Sequence, residues 1–161
     1  METIVKVRMA DLAICRAPEK ITTIGLGSCV GIVLYDSTTQ ICGMLHAMLP
    51  DSRRIRNNTN RAKFVDTGLV DMLRMLEHAG VNRRMLMAKV AGGAKMFDFP
   101  IESDDTSIGH QNAVMAKLVL QQLRIPLVAE DTGKDYGRTI VFDPASNELE
   151  IKAVGHPGLI I

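Results

Sequence analysis

Along one apolar segment near the end of a 161-residue chain, Leu149, Ile151 and Ala153 alternate with Glu148, Glu150 and Lys152. A two-residue period sends one row of side chains into a core and the other into water, which is the signature of a half-buried strand. Strands of that kind belong to antiparallel or mixed sheets, because the strands of an all-parallel sheet are covered on both faces and read as continuous apolar runs. Two further apolar segments, 127–130 and 138–142, precede it, separated by the turn-rich Asp131-Thr132-Gly133 and Asp143-Pro144-Ala145-Ser146-Asn147. The pattern predicts an α+β fold, a layered sandwich of mixed, largely antiparallel β-sheets, in preference to a doubly wound parallel fold.

The first half supplies more strands and the middle supplies helices. Residues 4–7, 29–35 and 41–48 are rich in β-branched and apolar types, and Asp36-Ser37-Thr38-Thr39 joins the last two as a hairpin. From 61 to 79, Val65, Leu69, Met72, Leu73 and Leu76 recur at helical spacing, with Gly80 as the stop. A strand over 85–91 and a glycine turn at Gly92-Gly93 follow. A second helix over 112–123 buries Ala116, Val119, Leu120 and Leu123, is capped by Asn112 or the polar residues before it, and ends before Pro126. The ten methionines fall mostly in apolar strands or on the first helix, where Met72 and Met75 lie on or near the apolar face, and read as core filling. Met96-Phe97, after two glycines, is either an exposed contact or a pair folded inward.

At 47% hydrophobic, 1–161 suits one compact domain. Nineteen basic against eighteen acidic residues leave a net charge of +1, which argues against bulk nucleic-acid binding. The run Arg53, Arg54, Arg56, Arg61 and Lys63 is locally basic, a solvated loop or a surface that steers an acidic partner. Three cysteines without paired spacing fit a reducing, cytoplasmic setting. No segment approaches the ~20 apolar residues of a membrane span, and the N-terminus lacks the pattern of a signal peptide, so no membrane insertion is expected. Cys15, Cys29 and Cys42 match no common zinc spacing, and neither metal nor cofactor is expected. Cys15 and Cys42 read as structural, and His78, His110 and His156 as solvated or capping residues.

Chemistry concentrates in Gly25-Leu26-Gly27-Ser28-Cys29-Val30-Gly31 and Gly43-Met44-Leu45-His46-Ala47-Met48-Leu49-Pro50. A buried cysteine is commonly a small hydrophobe, and a lone histidine on an apolar strand is commonly a hydrogen-bonded core residue. Glycines around Cys29, however, let the backbone turn tightly and let a substrate approach. A thiol attacks as thiolate, and His46 is the nearest base in the sequence. In the predicted hairpin the two side chains meet across adjacent strands, where facing Cβ atoms stand roughly 4.5–5.5 Å apart. Backbone N–H groups around Gly27, Ser28 and Cys29 are the candidates to hold an oxyanion.

Thr22-Thr23-Ile24-Gly25-Leu26-Gly27-Ser28-Cys29-Val30 together with Leu45-His46-Ala47-Met48-Leu49-Pro50-Asp51 resembles the CheD family of bacterial chemoreceptor glutamine deamidases. Ala88-Lys89-Val90-Ala91-Gly92-Gly93-Ala94-Lys95-Met96-Phe97 and Ala129-Glu130-Asp131-Thr132-Gly133 agree in the same order. The resemblance implies mixed sheets backed by helices. It implies a thiol hydrolase that converts receptor glutamine to glutamate through a thioester, with Cys29 as nucleophile, His46 as acid and base, and Thr23 as the residue orienting the imidazole. Thr22 stands beside Thr23, and a one-residue slip exchanges their faces. A glutamate methyl ester would enter the same path, so methylesterase activity is a companion expectation. The implied partners are the cytoplasmic domains of methyl-accepting chemoreceptors and a CheC-type phosphatase, for which the chain could act chiefly as an adaptor.

Overall fold

The computed structural model describes residues 3–96 and 106–161. Among them, ten strands form two five-stranded sheets. The first sheet runs in the order β1 (Ile4–Val7), β3 (Lys20–Leu26), β8 (Arg138–Asp143), β9 (Glu148–Lys152) and β10 (Leu159–Ile160). The second runs β2 (Asp11–Arg16), β5 (Ile41–Ala47), β4 (Val30–Asp36), β6 (Met87–Gly92) and β7 (Leu127–Thr132). Each has one parallel pair, β1 with β3 and β6 with β7, and is otherwise antiparallel. The α+β sandwich of mixed, largely antiparallel sheets expected from the alternating strands is the architecture observed.

Two helices, α1 (Val65–His78) and α2 (Ile108–Gln122), cover the second sheet. Their apolar residues Leu69, Met72, Leu76, Ala116 and Leu120 pack with Val30, Ile32 and Leu34 of β4 in one core. The opposite face of β4 contributes Val33 and Tyr35 to a second core, shared with Ile21, Ile140, Phe142 and Leu149 of the first sheet. β4 is therefore the middle strand of its sheet and buried along its whole length. With about 1.5–3 kcal/mol from each large apolar side chain removed from water, a strand that serves both cores is held on both faces.

Several local expectations shift. The first helix begins at Val65, because Phe64 is extended and bridges Leu49, leaving a separate 3-10 turn over Arg61–Lys63. Its end matches expectation, with Gly80 at φ +101°. The second helix begins at Ile108 and not 112: Ser107 is the cap, its hydroxyl accepting the His110 N–H at 3.2 Å, and Asn112 lies inside the helix. A 3-10 turn over Arg83–Met85 delays β6. Met75 and Met85 are exposed, so core filling does not describe them. Three strands, β2, β3 and β10, had no counterpart in the reading of the sequence.

Glycine narrows the gap between the sheets beside β4. A Cβ on Gly31 would lie 2.6 Å from Ile140 Cδ1 and 3.0 Å from Leu26 Cδ1, so only a bare backbone lets the first sheet come this close. On β3 the pairing with β8 slips between Thr23 and Leu26, an inserted residue with Gly25 at φ +80°. Such a bulge re-aims side chains, and here it leaves Ile24 exposed beside the buried Thr23.

Candidate active site

His46 stands on β5 directly opposite Gly31 of β4, and Val30 opposite Ala47. Cys29 sits just before β4, two residues from Gly31 and thus on the same face as His46. The two do not face each other squarely, as the hairpin reading had it; they are diagonal neighbours, for which the spacing is about 7–8 Å. The cause is register: Gly31 occupies the facing position, and the space that its missing side chain leaves is filled by Ile140 and Leu26 of the other sheet. Cys29 is half-buried and His46 almost fully buried.

Thr23 reaches His46 from the other sheet. Its Oγ1 lies 2.7 Å from His46 Nδ1 and 2.7 Å from the carbonyl oxygen of Val7. A hydroxyl has one hydrogen, and the Val7 carbonyl can only accept, so the hydroxyl donates there and accepts from Nδ1–H. That network assigns the proton to Nδ1 and leaves Nε2 as a lone pair. Nε2 is buried, and no hydrogen-bond partner meets it. Thr22 turns the other way, donating to the Ile140 carbonyl at 2.7 Å. Of the two neighbouring threonines, the structure brings Thr23 to His46.

Burial pushes the His46 imidazole below its ordinary range and the Cys29 thiol above its own, the latter offset in part by the Cys29 backbone N–H beside the sulfur. Both shifts favour an uncharged resting pair, thiol with imidazole.

The turn before β4 is fixed by its carbonyls. Gly27 O accepts from Ala94 N–H at 2.8 Å, Cys29 O from Gly93 N–H at 2.9 Å, and Ser28 O from the Asn112 side-chain amide at 2.9 Å. A trans peptide holds its N–H opposite its carbonyl, so the N–H groups of Ser28 and Cys29 point away from those anchors. They remain candidate donors to an oxyanion, whereas the Gly27 N–H expected beside them is taken by the Gly25 carbonyl at 3.1 Å. Gly92, at φ +104°, makes this possible: a Cβ there would collide with the Cys29 carbonyl oxygen. A cleft of about 700 Å³ lies beside the turn, lined by Gly93, Lys95, His110, Lys117 and Tyr136 among others, and does not include Cys29 or His46.

Asn112, read from the sequence only as a candidate helix cap, is brought to this turn by the structure. It is fully buried on α2 and donates to Ser28 O at 2.9 Å and Met48 O at 3.0 Å. The signal in the sequence was faint, a lone amide among Ala113, Ala116 and Leu120 on a helix face otherwise apolar.

The remaining candidates lie elsewhere. Cys15 and Cys42 face each other across β2 and β5 with sulfurs 3.5 Å apart, both buried and free. His78 and His110 are exposed, and His156 stacks on Tyr136 at 3.9 Å. The basic run is partly neutralised, with Arg53 on Asp51 at 2.9 Å and Arg61 on Asp71 at 2.8 Å. Met96 lies against Gly27 and is exposed, and Phe97 falls outside the described residues. Among the described residues no cluster of metal-ligating side chains occurs, and no helix is long and apolar enough to cross a membrane.

A cysteine on a turn anchored by its carbonyls, an imidazole with one unpartnered nitrogen and a hydroxyl behind it thus meet in a two-sheet α+β sandwich. A family model described as CheD chemotactic sensory transduction matches residues 48–153. That span begins after Thr23, Cys29 and His46, but whole-chain relatives include all three positions. The probable chemoreceptor glutamine deamidase CheD of Lachnoclostridium phytofermentans is 53% identical over 98% of each chain, and the chemoreceptor glutamine deamidase CheD of Halalkalibacterium halodurans is 48% identical over 98% of each. The chain belongs to the CheD family. Its fold is also similar to that of Neisseria meningitidis protein NMB0706, of the DUF152 family, at a TM-score of 0.52 and 10% identity, covering 83% of this chain and 64% of that one.

Proposed function

We propose that this chain deamidates glutamine side chains of bacterial chemoreceptors to glutamate, with Cys29 as nucleophile, His46 as general acid and base, and Thr23 as the residue that orients the imidazole. The observation that carries the reading is the buried, unpartnered His46 Nε2, held as a lone pair by Thr23 on the face that also presents Cys29. The names of the full-length relatives supply the substrate class.

The chemistry follows in two halves. His46 Nε2 takes the Cys29 proton as sulfur bonds to the carboxamide carbon, and the carbonyl electrons move to oxygen, facing the N–H groups of Ser28 and Cys29. The imidazolium returns that proton to nitrogen as the C–N bond breaks, releasing ammonia and leaving a thioester. Nε2 then removes a proton from water, the hydroxide adds to the thioester carbon, and sulfur departs with the proton as glutamate forms. A hydroxyl stabilises the imidazolium less than a carboxylate would, so more of the rate must come from positioning of a bound protein substrate. A glutamate methyl ester enters at the same first step with methanol as leaving group. Three free cysteines fit the cytoplasmic side, where receptor signalling segments lie.

Mass spectrometry of a cytoplasmic receptor fragment tests the reading. The wild-type chain is expected to replace NH2 by OH at particular glutamines, and Cys29→Ala and His46→Ala to leave the fragment unchanged. Conversion by Cys29→Ala would refute it. An adaptor for a CheC-type phosphatase would instead keep its effect on that enzyme in Cys29→Ala.

A further inference from the structure

We propose that Asn112 is a positioning residue for this reaction: its side-chain amide fixes the spacing between the nucleophile's turn and the strand that carries the base. The inference rests on the Cys29–His46 reading and adds to it a residue from a third element.

The β4–β5 ladder ends at the pair Val30 and Ala47. Beyond it the strands part, because the Met48 N–H turns to the Lys63 carbonyl at 2.8 Å and no longer serves β4. Cys29 and Met48 are the first residues past the last rung, so backbone pairing no longer sets their separation. Asn112 bridges this opening. Its two Nδ2 hydrogens go to Ser28 O at 2.9 Å and Met48 O at 3.0 Å, one on each parted strand. Both acceptors are carbonyls, which fixes the amide orientation: a flipped side chain would set oxygen against oxygen.

The other half of the amide argues against simple packing. Asn112 Oδ1 is buried and without a partner, a stranded acceptor that an apolar residue would avoid. What an apolar residue could not do is donate to two strands at once. α2 is itself pressed against the site, since a Cβ on Gly109 would collide with the backbone of Gly93 and Ala94, the residues that hold Cys29 O and Gly27 O. Through Ser28 O, Asn112 also sets the plane of the Ser28–Cys29 peptide, whose N–H faces the developing oxyanion.

Asn112→Ala and Asn112→Ser are compared with Ala116→Gly, a destabilising change at another fully buried position on the same helix. Folding is followed by circular dichroism and assays are run below each melting point. In the Asn112 variants, kcat on the receptor fragment is expected to fall about 10- to 100-fold with KM little changed, the result of misplacing reacting groups. The pH profile of Cys29 alkylation by iodoacetamide is expected to move toward that of His46→Ala. Ala116→Gly should change neither. Should Asn112→Ala melt too low, Asn112→Ser, which retains one donor, carries the comparison. Wild-type kcat and an unshifted alkylation profile in a folded Asn112 variant would overturn the proposal, as would losses equal to those of Ala116→Gly. Deamidation surviving in Cys29→Ala would refute the underlying mechanism instead, and alkylation, which needs no receptor, would still report on the positioning.

Discussion

Thr23→Val keeps the shape of the side chain and deletes its hydroxyl, which removes both 2.7 Å hydrogen bonds at once. The imidazole then has a buried Nδ1–H with no acceptor, a loss of about 1–3 kcal/mol. At about 2–4 °C per kcal/mol for a chain of this size, melting should fall by about 2–12 °C. The effect on chemistry is separate. The same 1–3 kcal/mol is what favours the Nδ1–H tautomer, so its removal lets the proton move to Nε2 in a comparable fraction of molecules. Nε2–H is a donor, not a base, and the imidazolium formed during attack loses the Thr23 acceptor as well; about 1–3 kcal/mol of lost transition-state stabilisation corresponds to deamidation slowed about five- to 150-fold. Thr23→Ser, which restores the oxygen, should recover most of the rate, whereas Thr22→Val should not reproduce the loss. The assay pairs deamidation kinetics with nitrogen-15 spectra of the His46 ring. A wild-type ring protonated at Nε2, or a Thr23→Val rate within about twofold of wild type, would refute the argument.

Gly92→Ala combines a positive φ with a collision against the Cys29 carbonyl, while Gly80→Ala meets the same backbone penalty of about 1–2 kcal/mol with nothing within 4 Å of the new methyl group. Thermal melts should fall for both, and deamidation measured well below melting should fall for Gly92→Ala alone. Burial lowers the His46 imidazole from 6.5, so as pH drops below about 6.5 the unfolded chain binds a proton before the folded one does. His46 therefore contributes a loss of stability that begins near that pH and grows until its lowered folded value is passed. Urea titrations between pH 5 and pH 8, values set by that window, should show the slope in wild type and a shallower one in His46→Gln. The rate should likewise hold on the acid side further than an ordinary histidine would allow, because the base stays uncharged there.

How much of this could be read beforehand varied with how many faces an element buries. Glu148–Lys152 alternates cleanly because only one face is covered, and its strand was legible. Asp11–Arg16 was not: Leu12 and Ile14 lean on the helix-side core while Ala13 and Cys15 lean on the other, so polarity does not alternate. The start of α2 was misplaced because Asn112 is by type as good a cap as Ser107, which serves, and Gly109 between them is a poor helix former whose missing side chain lets the helix touch Gly93 and Ala94. The types of the site residues were visible in the two glycine-flanked motifs, but not their geometry. The register that sets Gly31 opposite His46 depends on a turn in which Gln40 adopts φ +56°, a conformation that glutamine does not advertise. Nor can any local pattern show that Thr23 on one sheet and Asn112 on a helix converge on a hairpin between them.

β4 belongs to both interiors, with neighbouring residues committed alternately to the helix layer and the other sheet. The mount of the proposed nucleophile cannot loosen without disturbing two packed layers together, so fraying of the periphery and loss of the centre are decoupled. Heat should leave turnover intact until cooperative melting begins, and amide protons along this strand should exchange among the slowest in the molecule. Ile24 and Met96, exposed beside Thr23 and Gly27, carry no such double commitment.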